Sequence, residues 1–366
     1  MKKISHFLKH LYKILVQYFF KTLYGRITYE SFNTNNKDLV INKITNKNNL
    51  KFNNTCYHVY KITNGRIYTD FVSNVSIINN NKILNDVSYQ QINSQLKEAQ
   101  FNSSIYKGTP NFKKKIKGKI LSLTQGASGH TNYFHWLFDI LPRVKIFSEI
   151  YNLKSLDYFY LSKLQDFQKE TFNILGLDKI GVIDAKKYRH IEASEVYAVE
   201  HPWYSKGYIA YEAKNLPPWI IQWIRSSFLR SSDEFDVNEK IFIDRSESKF
   251  DHCQLQNNDE VKAFLINKGF SVYKTGQLSF KKQVFLFKKA KIIVGVHGAA
   301  FANLVFCSPK AKVIEIKPMS HPNFVSKTIS KINNFDLKIL ETPELKENND
   351  MRGDIFLNIN ELNKDL

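Results

Sequence analysis

Cysteine is scarce. Three residues, Cys56, Cys253 and Cys307, occur in 366, an odd number with no pair at CxxC or metal-ligand spacing. That pattern excludes a cysteine-built metal site and fits a reduced compartment with buried thiols. Long hydrophobic runs are missing as well. The longest uncharged run near the N-terminus, Ile14 to Phe20, is too short to span a bilayer, and no small-residue cleavage site follows it, so the sequence reads as having neither a transmembrane helix nor a signal peptide. Internal repeats and nucleic-acid-binding motifs are lacking. Acidic residues are in deficit, with 34 Asp and Glu against 53 Lys and Arg and a formal charge of +19. The excess admits nucleic acid, an anionic membrane surface or an anionic substrate such as a nucleotide sugar. Because the basic residues are dispersed and stand beside Asp and Glu in the second half, net charge is the sole argument for nucleic acid.

What is present is a globular composition, 43% hydrophobic and 14% aromatic, in a chain longer than one core usually fills, so two domains are expected. Residues 2 to 24 place Ile4, Phe7, Leu8, Leu11, Leu15, Tyr18, Phe19 and Leu23 on one helical face, with Lys2, Lys3, Lys9, Lys13 and Lys21 mostly elsewhere. Two readings stand open: an interfacial helix on anionic lipid, or a helix packed on the protein's own core. Residues 31 to 55 are Asn- and Lys-rich and read as a mobile connection; 57 to 89 read as a small β meander. After Gly118 the pattern predicts strands at 119–124, 156–161, 179–183 and 194–199, with helices at 132–151 and 166–175, the alternation of a parallel α/β sheet. A Pro217-Pro218 pair opens a boundary region ending near Asp236. A second α/β series follows: strands at 240–244, 270–273, 292–296 and 312–317, helices at 258–268 and 279–290, and helical periodicity from Ala299 to Phe306. The tail after Glu341 is polar until a strand and short helix at 354–366.

Three stretches carry chemistry. In Ile292 to Phe306 a charge-free strand meets Gly295-Val-His297-Gly298-Ala299-Ala300 and then a helix, an arrangement in which glycine lets backbone approach an anion and a helix N-terminus offers N–H groups. A tight crossover turn without a ligand is the competing reading. In Leu121 to Arg143 a strand enters a Gly/Ser-rich loop, and the following helix carries His135 and Asp139 four apart on one face. That pair can take a proton from a hydroxyl, or it is a surface or structural pair. In Ile241 to His252, Arg245 sits just past a strand end, placed either to grip a diphosphate or to pair with Asp244 or Glu247.

Taken together, these stretches resemble glycosyltransferase family 61, which contains bacterial capsular-polysaccharide transferases and eukaryotic xylosyl- and N-acetylglucosaminyl-transferases. Asn132-Tyr-Phe-His135-Trp136-Leu-Phe-Asp139-Ile-Leu-Pro142-Arg143 is similar to the family's NYYHWLxExLPR motif. Phe242-Ile-Asp-Arg245 is similar to its strand ending in Arg. Leu278 to Ala290 followed by Val296-His297-Gly298-Ala299 and Asn303 is similar to its LSxxEQxxLFxxAxxIxGxHGAGLxN block, and Val313-Ile314-Glu315-Ile316-Lys-Pro318 to its VIEIxP strand. The likeness runs from about residue 118 to 320 and does not cover 1 to about 50. Departures are Ala300 where relatives usually have glycine, Phe301 for leucine, and Lys249 and His252 where relatives often carry further arginines.

The resemblance implies an α/β, GT-B type architecture, two Rossmann-like domains facing across a cleft, with the small β meander and the amphipathic N-terminal helix added. The expected organisation is a basic, membrane-associating helix at 1–30, an acceptor-side domain at 50–215, a linker at 216–238, a nucleotide-sugar-binding domain at 239–340 and a tail at 341–366. It implies an inverting glycosyltransferase that needs no metal or other cofactor and moves a sugar from a nucleoside diphosphate, a UDP-sugar foremost, to a surface or capsular polysaccharide or its lipid-linked precursor. The place of action would be the cytoplasmic side, peripherally at the inner membrane face. On this reading Asp139 is the base and His135 its deputy; Arg245, His297, Gly298, Ala299 and Asn303 hold the donor diphosphate, Lys249 and His252 lend phosphate support, and Glu315 binds the donor nucleoside. The alternative is a non-catalytic nucleotide- or polysaccharide-binding protein that retains the fold.

Overall fold

The computed structural model describes the chain except residues 1, 31–36, 45–50, 53–54, 71–73, 93–94, 125–130, 205, 247–252, 323 and 346–352. Lys249, His252, the Gly/Ser-rich loop and most of the Asn- and Lys-rich connection therefore lie outside the described residues. The chain divides into two compact units, Met1–Leu164 with Leu177–Ile209, and Gln165–Gly176 with Ala210–Leu366.

The first unit is built on a ten-stranded mixed sheet. The sequence separates a meander from a parallel sheet; the structure joins them in one. The strand His190–Val199 pairs in parallel with Lys114–Ser122 and antiparallel with His58–Thr63 and Arg66–Thr69. This strand is ten residues long and buried over most of its length, so both its edges must find hydrogen-bond partners within the protein. Tyr158–Leu161 and Gly181–Asp184 extend the parallel side.

The helix expected at 132–151 is an α-turn at Tyr133–His135, a π-helical turn at Trp136–Ile140 and an α-helix at Leu141–Ser148. Asn132 caps its start, its side chain accepting from the His135 N–H. Pro142 explains the irregular turn: it has no N–H to return to the Phe138 carbonyl, and its ring crowds that carbonyl. Upstream of the sheet, the helix Lys2–Tyr24 is exposed at every residue from 6 to 15. Of its apolar side, Phe20 is buried at 7% exposure, whereas Phe7, Leu8, Leu11, Leu15 and Phe19 are exposed. The reading in which this helix packs on the protein's own core describes its last turns, around Phe20 and Tyr24, and not the stretch from 6 to 15. No helix among the described residues is long and apolar enough to cross a membrane.

The second unit carries five parallel strands in the order Ser271–Tyr273, Lys240–Ile243, Ile292–Val296, Lys312–Pro318, Asp336–Thr342. The middle strand Ile292–Val296 is apolar throughout because both faces are covered, as parallel sheets require. Chain order therefore reverses between Lys240–Ile243 and Ile292–Val296, the switch point at which open α/β sheets leave a crevice beyond their strand ends. The helix Phe280–Lys289, capped by Ser279, which accepts from the Lys282 N–H, leads into the second of those strands. The helix Asp166–Ile174 belongs to this unit although its neighbours in sequence belong to the first, and it packs on Pro218–Phe228 and Phe280–Lys289. The tail returns to the same unit, burying Ile355, Leu357 and Leu362 in its core.

Candidate active site

In the first unit the helix after Lys114–Ser122 delivers His135 and Asp139 to each other, His135 Nδ1 lying 2.5 Å from Asp139 Oδ2. Asp139 is fully buried and His135 is 17% exposed. The other carboxylate oxygen accepts from the Trp203 indole N–H at 2.9 Å, and the same N–H reaches the Phe138 carbonyl at 3.1 Å. The indole thus occupies the carbonyl that Pro142 leaves without its helical partner. His201 Nε2 stands 3.5 Å from Asp139 Oδ2, while its Nδ1 accepts from the Trp203 and Tyr204 N–H groups. Burial pushes the His201 imidazole down to about 4. Burial acts on Asp139 in the opposite sense, but the charge and hydrogen bond of His135, with His201, hold the carboxyl well below its ordinary value.

Arg143, one helical turn on, is also fully buried. Burial lowers its guanidinium to about 10 and the nearby Asp139 charge opposes that shift, so it remains a cation beside the carboxylate. Its guanidinium nitrogens have no hydrogen-bond partner among the described residues.

The two members of the pair differ in access: Asp139 has no exposed surface and both its oxygens are engaged. With His135 Nδ1 donating to the carboxylate, Nε2 carries the lone pair, and His135 is the member of the pair with solvent access.

In the second unit Arg245 and His297 follow the two strands that flank the switch point. Ile243 and Gly295 are register partners, which brings the residues beyond them side by side. Arg245 Nη1 donates to the His297 carbonyl at 2.9 Å and to the Cys253 carbonyl at 3.3 Å. Of the alternative surface pairings of Arg245, the one with Asp244 is not formed, buried Asp244 accepting instead from the Ser246 N–H and hydroxyl, and Glu247 lies outside the described residues. Burial lowers the Arg245 guanidinium from its usual value.

Gly298 is required by this contact: a Cβ there would stand 2.9 Å from Arg245 Nε. Gly295 is required by packing, because a Cβ would meet Ile243 and Phe301 at 3.0 Å. Ala300, where glycine is usual in the resemblance, lies outside the residues with positive φ, so alanine is accommodated without backbone strain.

His297 Nδ1 lies 2.6 Å from Glu315 Oε1, and Glu315 is fully buried. Glu315 reaches this contact because it neighbours Gly295 in register. One oxygen of the carboxylate expected to bind the nucleoside thus meets an imidazole. Asn303 also has partners within the protein. It is fully buried, and its amide donates to Gln283 Oε1 at 2.9 Å and to the Ala300 carbonyl at 3.1 Å, so it braces the 3₁₀ helix Ala299–Phe306 against Phe280–Lys289.

Three further residues escaped the sequence reading. His201 and Trp203 follow directly on a strand, and the run His-Pro-Trp-Tyr at 201–204 was the available signal. His321, whose ring centroid is 3.9 Å from that of His297, sits just beyond the strand Lys312–Pro318 and is marked by no motif.

Each unit thus places a histidine on a buried carboxylate at the carboxyl edge of parallel strands. The glycosyltransferase 61 family model matches residues 133–314, about half of the chain. The match spans His135, Asp139, Arg245 and His297 and stops one residue short of Glu315. No curated protein matches the chain.

Proposed function

The chain belongs to glycosyltransferase family 61, and from that premise we propose that it moves a sugar from a nucleoside diphosphate, a UDP-sugar foremost, to a hydroxyl of a surface polysaccharide or its lipid-linked precursor, with inversion. The GT-B arrangement implied by the family resemblance belongs to this proposal. His135 Nε2 takes the acceptor proton as the hydroxyl oxygen attacks the anomeric carbon from the face opposite the leaving group. Asp139, held by Trp203, orients the imidazole and balances its charge. The bond from the anomeric carbon to the phosphate oxygen breaks, and the charge that develops on the diphosphate is met by Arg245, by His297 with His321 beside it, and by the backbone N–H groups of Gly298 and Ala299. Lys249 and His252 lend the phosphate support that the family resemblance implies. The basic N-terminal helix holds the enzyme peripherally at the cytoplasmic leaflet, where a lipid-linked acceptor is found.

The observation that carries this reading is the meeting of Arg245 and His297 at the switch point of a parallel sheet. A panel of UDP-, GDP- and CMP-sugars, scored by thermal shift and by donor hydrolysis with and without saccharide acceptors, tests it. One donor should stabilise the protein and be turned over. Binding of a nucleotide without hydrolysis or transfer would instead identify a non-catalytic binding protein, and no response to any donor would remove the diphosphate site.

A further inference from the structure

Residues 1–29 and residues 99–138 each contain no Asp or Glu, as is also true of 39–69 and 261–314, and the fold brings the first two into contact. The Phe112 ring stands edge-on to Phe20 at 5.1 Å and to Phe19 at 6.5 Å. Beside it, the Lys113 N–H donates to the Tyr24 hydroxyl at 2.9 Å, and Tyr24 stacks on Phe20. The end of the N-terminal helix is thereby pinned to the loop before the strand Lys114–Ser122. Phe112 nevertheless remains 75% exposed, as does Tyr106 at 63% and Phe19 at 52%. Scattered apolar residues on a surface need no explanation, but rings contiguous with a helix exposed over its whole 6–15 stretch form one apolar surface. Flanking it in sequence are the exposed Lys107, Lys114, Lys115 and Lys117, of which Lys115 pairs with Glu192 at 3.7 Å.

We propose that Phe112 and its flanking lysines form a second membrane anchor, continuous with the N-terminal helix, so that the protein docks on an anionic lipid surface through two separate segments of chain. The inference rests on the peripheral membrane reading above and adds to it a loop that the sequence did not connect with the helix. Charge selects the occupant. Exposed aromatic rings flanked in sequence by lysines match a headgroup layer over an acyl boundary, whereas a second copy of this chain would set the same lysines against each other.

The test is co-sedimentation of the full chain with phosphatidylcholine vesicles, with and without phosphatidylglycerol. Expected is salt-sensitive binding to the anionic vesicles alone, weakened roughly tenfold by Phe112→Ser, the loss expected when one inserted aromatic side chain is removed, and weakened likewise by Leu11→Ser on the exposed helix. Both positions are exposed, so unchanged melting temperatures should accompany the loss. If Leu11→Ser weakens binding and Phe112→Ser does not, the second anchor is wrong and the helix reading stands. If the unaltered chain ignores anionic vesicles, the helix reading fails first. Equal binding to neutral vesicles, or a Phe112-dependent dimer in light scattering, overturns the lipid assignment.

Discussion

At the scale of single residues, the proposed mechanism has the His135 and Asp139 pair separate proton transfer from orientation. His135→Ala should lower kcat by about 10²- to 10⁴-fold, the usual contribution of a positioned base, with little change in donor KM. Asp139→Asn leaves the base in place but alters the group that holds its tautomer, so kcat should fall while donor binding persists. An Asp139→Asn enzyme with unchanged kcat would show that the carboxylate has no part in the chemistry. Gly298 offers a second test, in which nothing polar is removed. Because a Cβ at 298 would stand 2.9 Å from Arg245 Nε, Gly298→Ala should displace the guanidinium and raise donor KM toward the value for Arg245→Ala. If KM is unaffected, the Arg245 position seen here is not the one that meets the donor.

At the scale of elements, the π-helical turn at Trp136–Ile140 positions the first pair. A π-turn adds a residue to the helical circuit and is often retained where it re-aims a side chain. Here Pro142 leaves the Phe138 carbonyl short of its helical donor, and one indole N–H serves both that carbonyl and the Asp139 carboxylate. Trp203→Phe keeps the ring and removes the N–H. Leaving buried acceptors without a donor costs about 1–3 kcal/mol, so denaturant midpoints should fall by that amount and kcat should fall with them. A loss of stability without loss of kcat would make Trp203 purely structural. The 3₁₀ helix after Gly298 follows the same logic, its position maintained by Asn303 and Gln283 from inside.

At the scale of the whole molecule, buried imidazoles set the response to acid. Burial pushes both His190 and His201 to about 4 from an ordinary 6.5. Their folded values are depressed, so the native state keeps them neutral while the unfolded chain takes up protons below 6.5. Stability is then complete above about pH 6.5 and is lost as pH falls toward 4, by about 2 kcal/mol per imidazole at pH 5. His58 acts in the other direction: its hydrogen bond to Glu200 raises its value, so its contribution is present at acid pH and fades as pH rises through that raised value. Asp139 adds a loss confined to lower pH, where its depressed carboxyl is protonated. Urea melts of His190→Gln at pH 7 and pH 5 should show a smaller difference than the unaltered protein, and an identical difference would remove His190 from this account.

The sequence by itself determined the alternation of strands and helices, the glycine turn, the strand-end arginine and the family likeness, because apolar periodicity and short motifs are local properties of the chain. His135 and Asp139 were legible for the same reason, being four residues apart on one helix. Only the tertiary structure decided which member of that pair faces solvent, since the burial of Asp139 depends on Trp203 and His201 arriving from a strand far along the chain. It likewise decided that Glu315 meets His297 and that Asn303 turns inward, because register between neighbouring strands and packing between helices are set by long-range pairing. The meander and the parallel strands became one sheet because His190–Val199 needed partners on both edges, a requirement that no local pattern expresses.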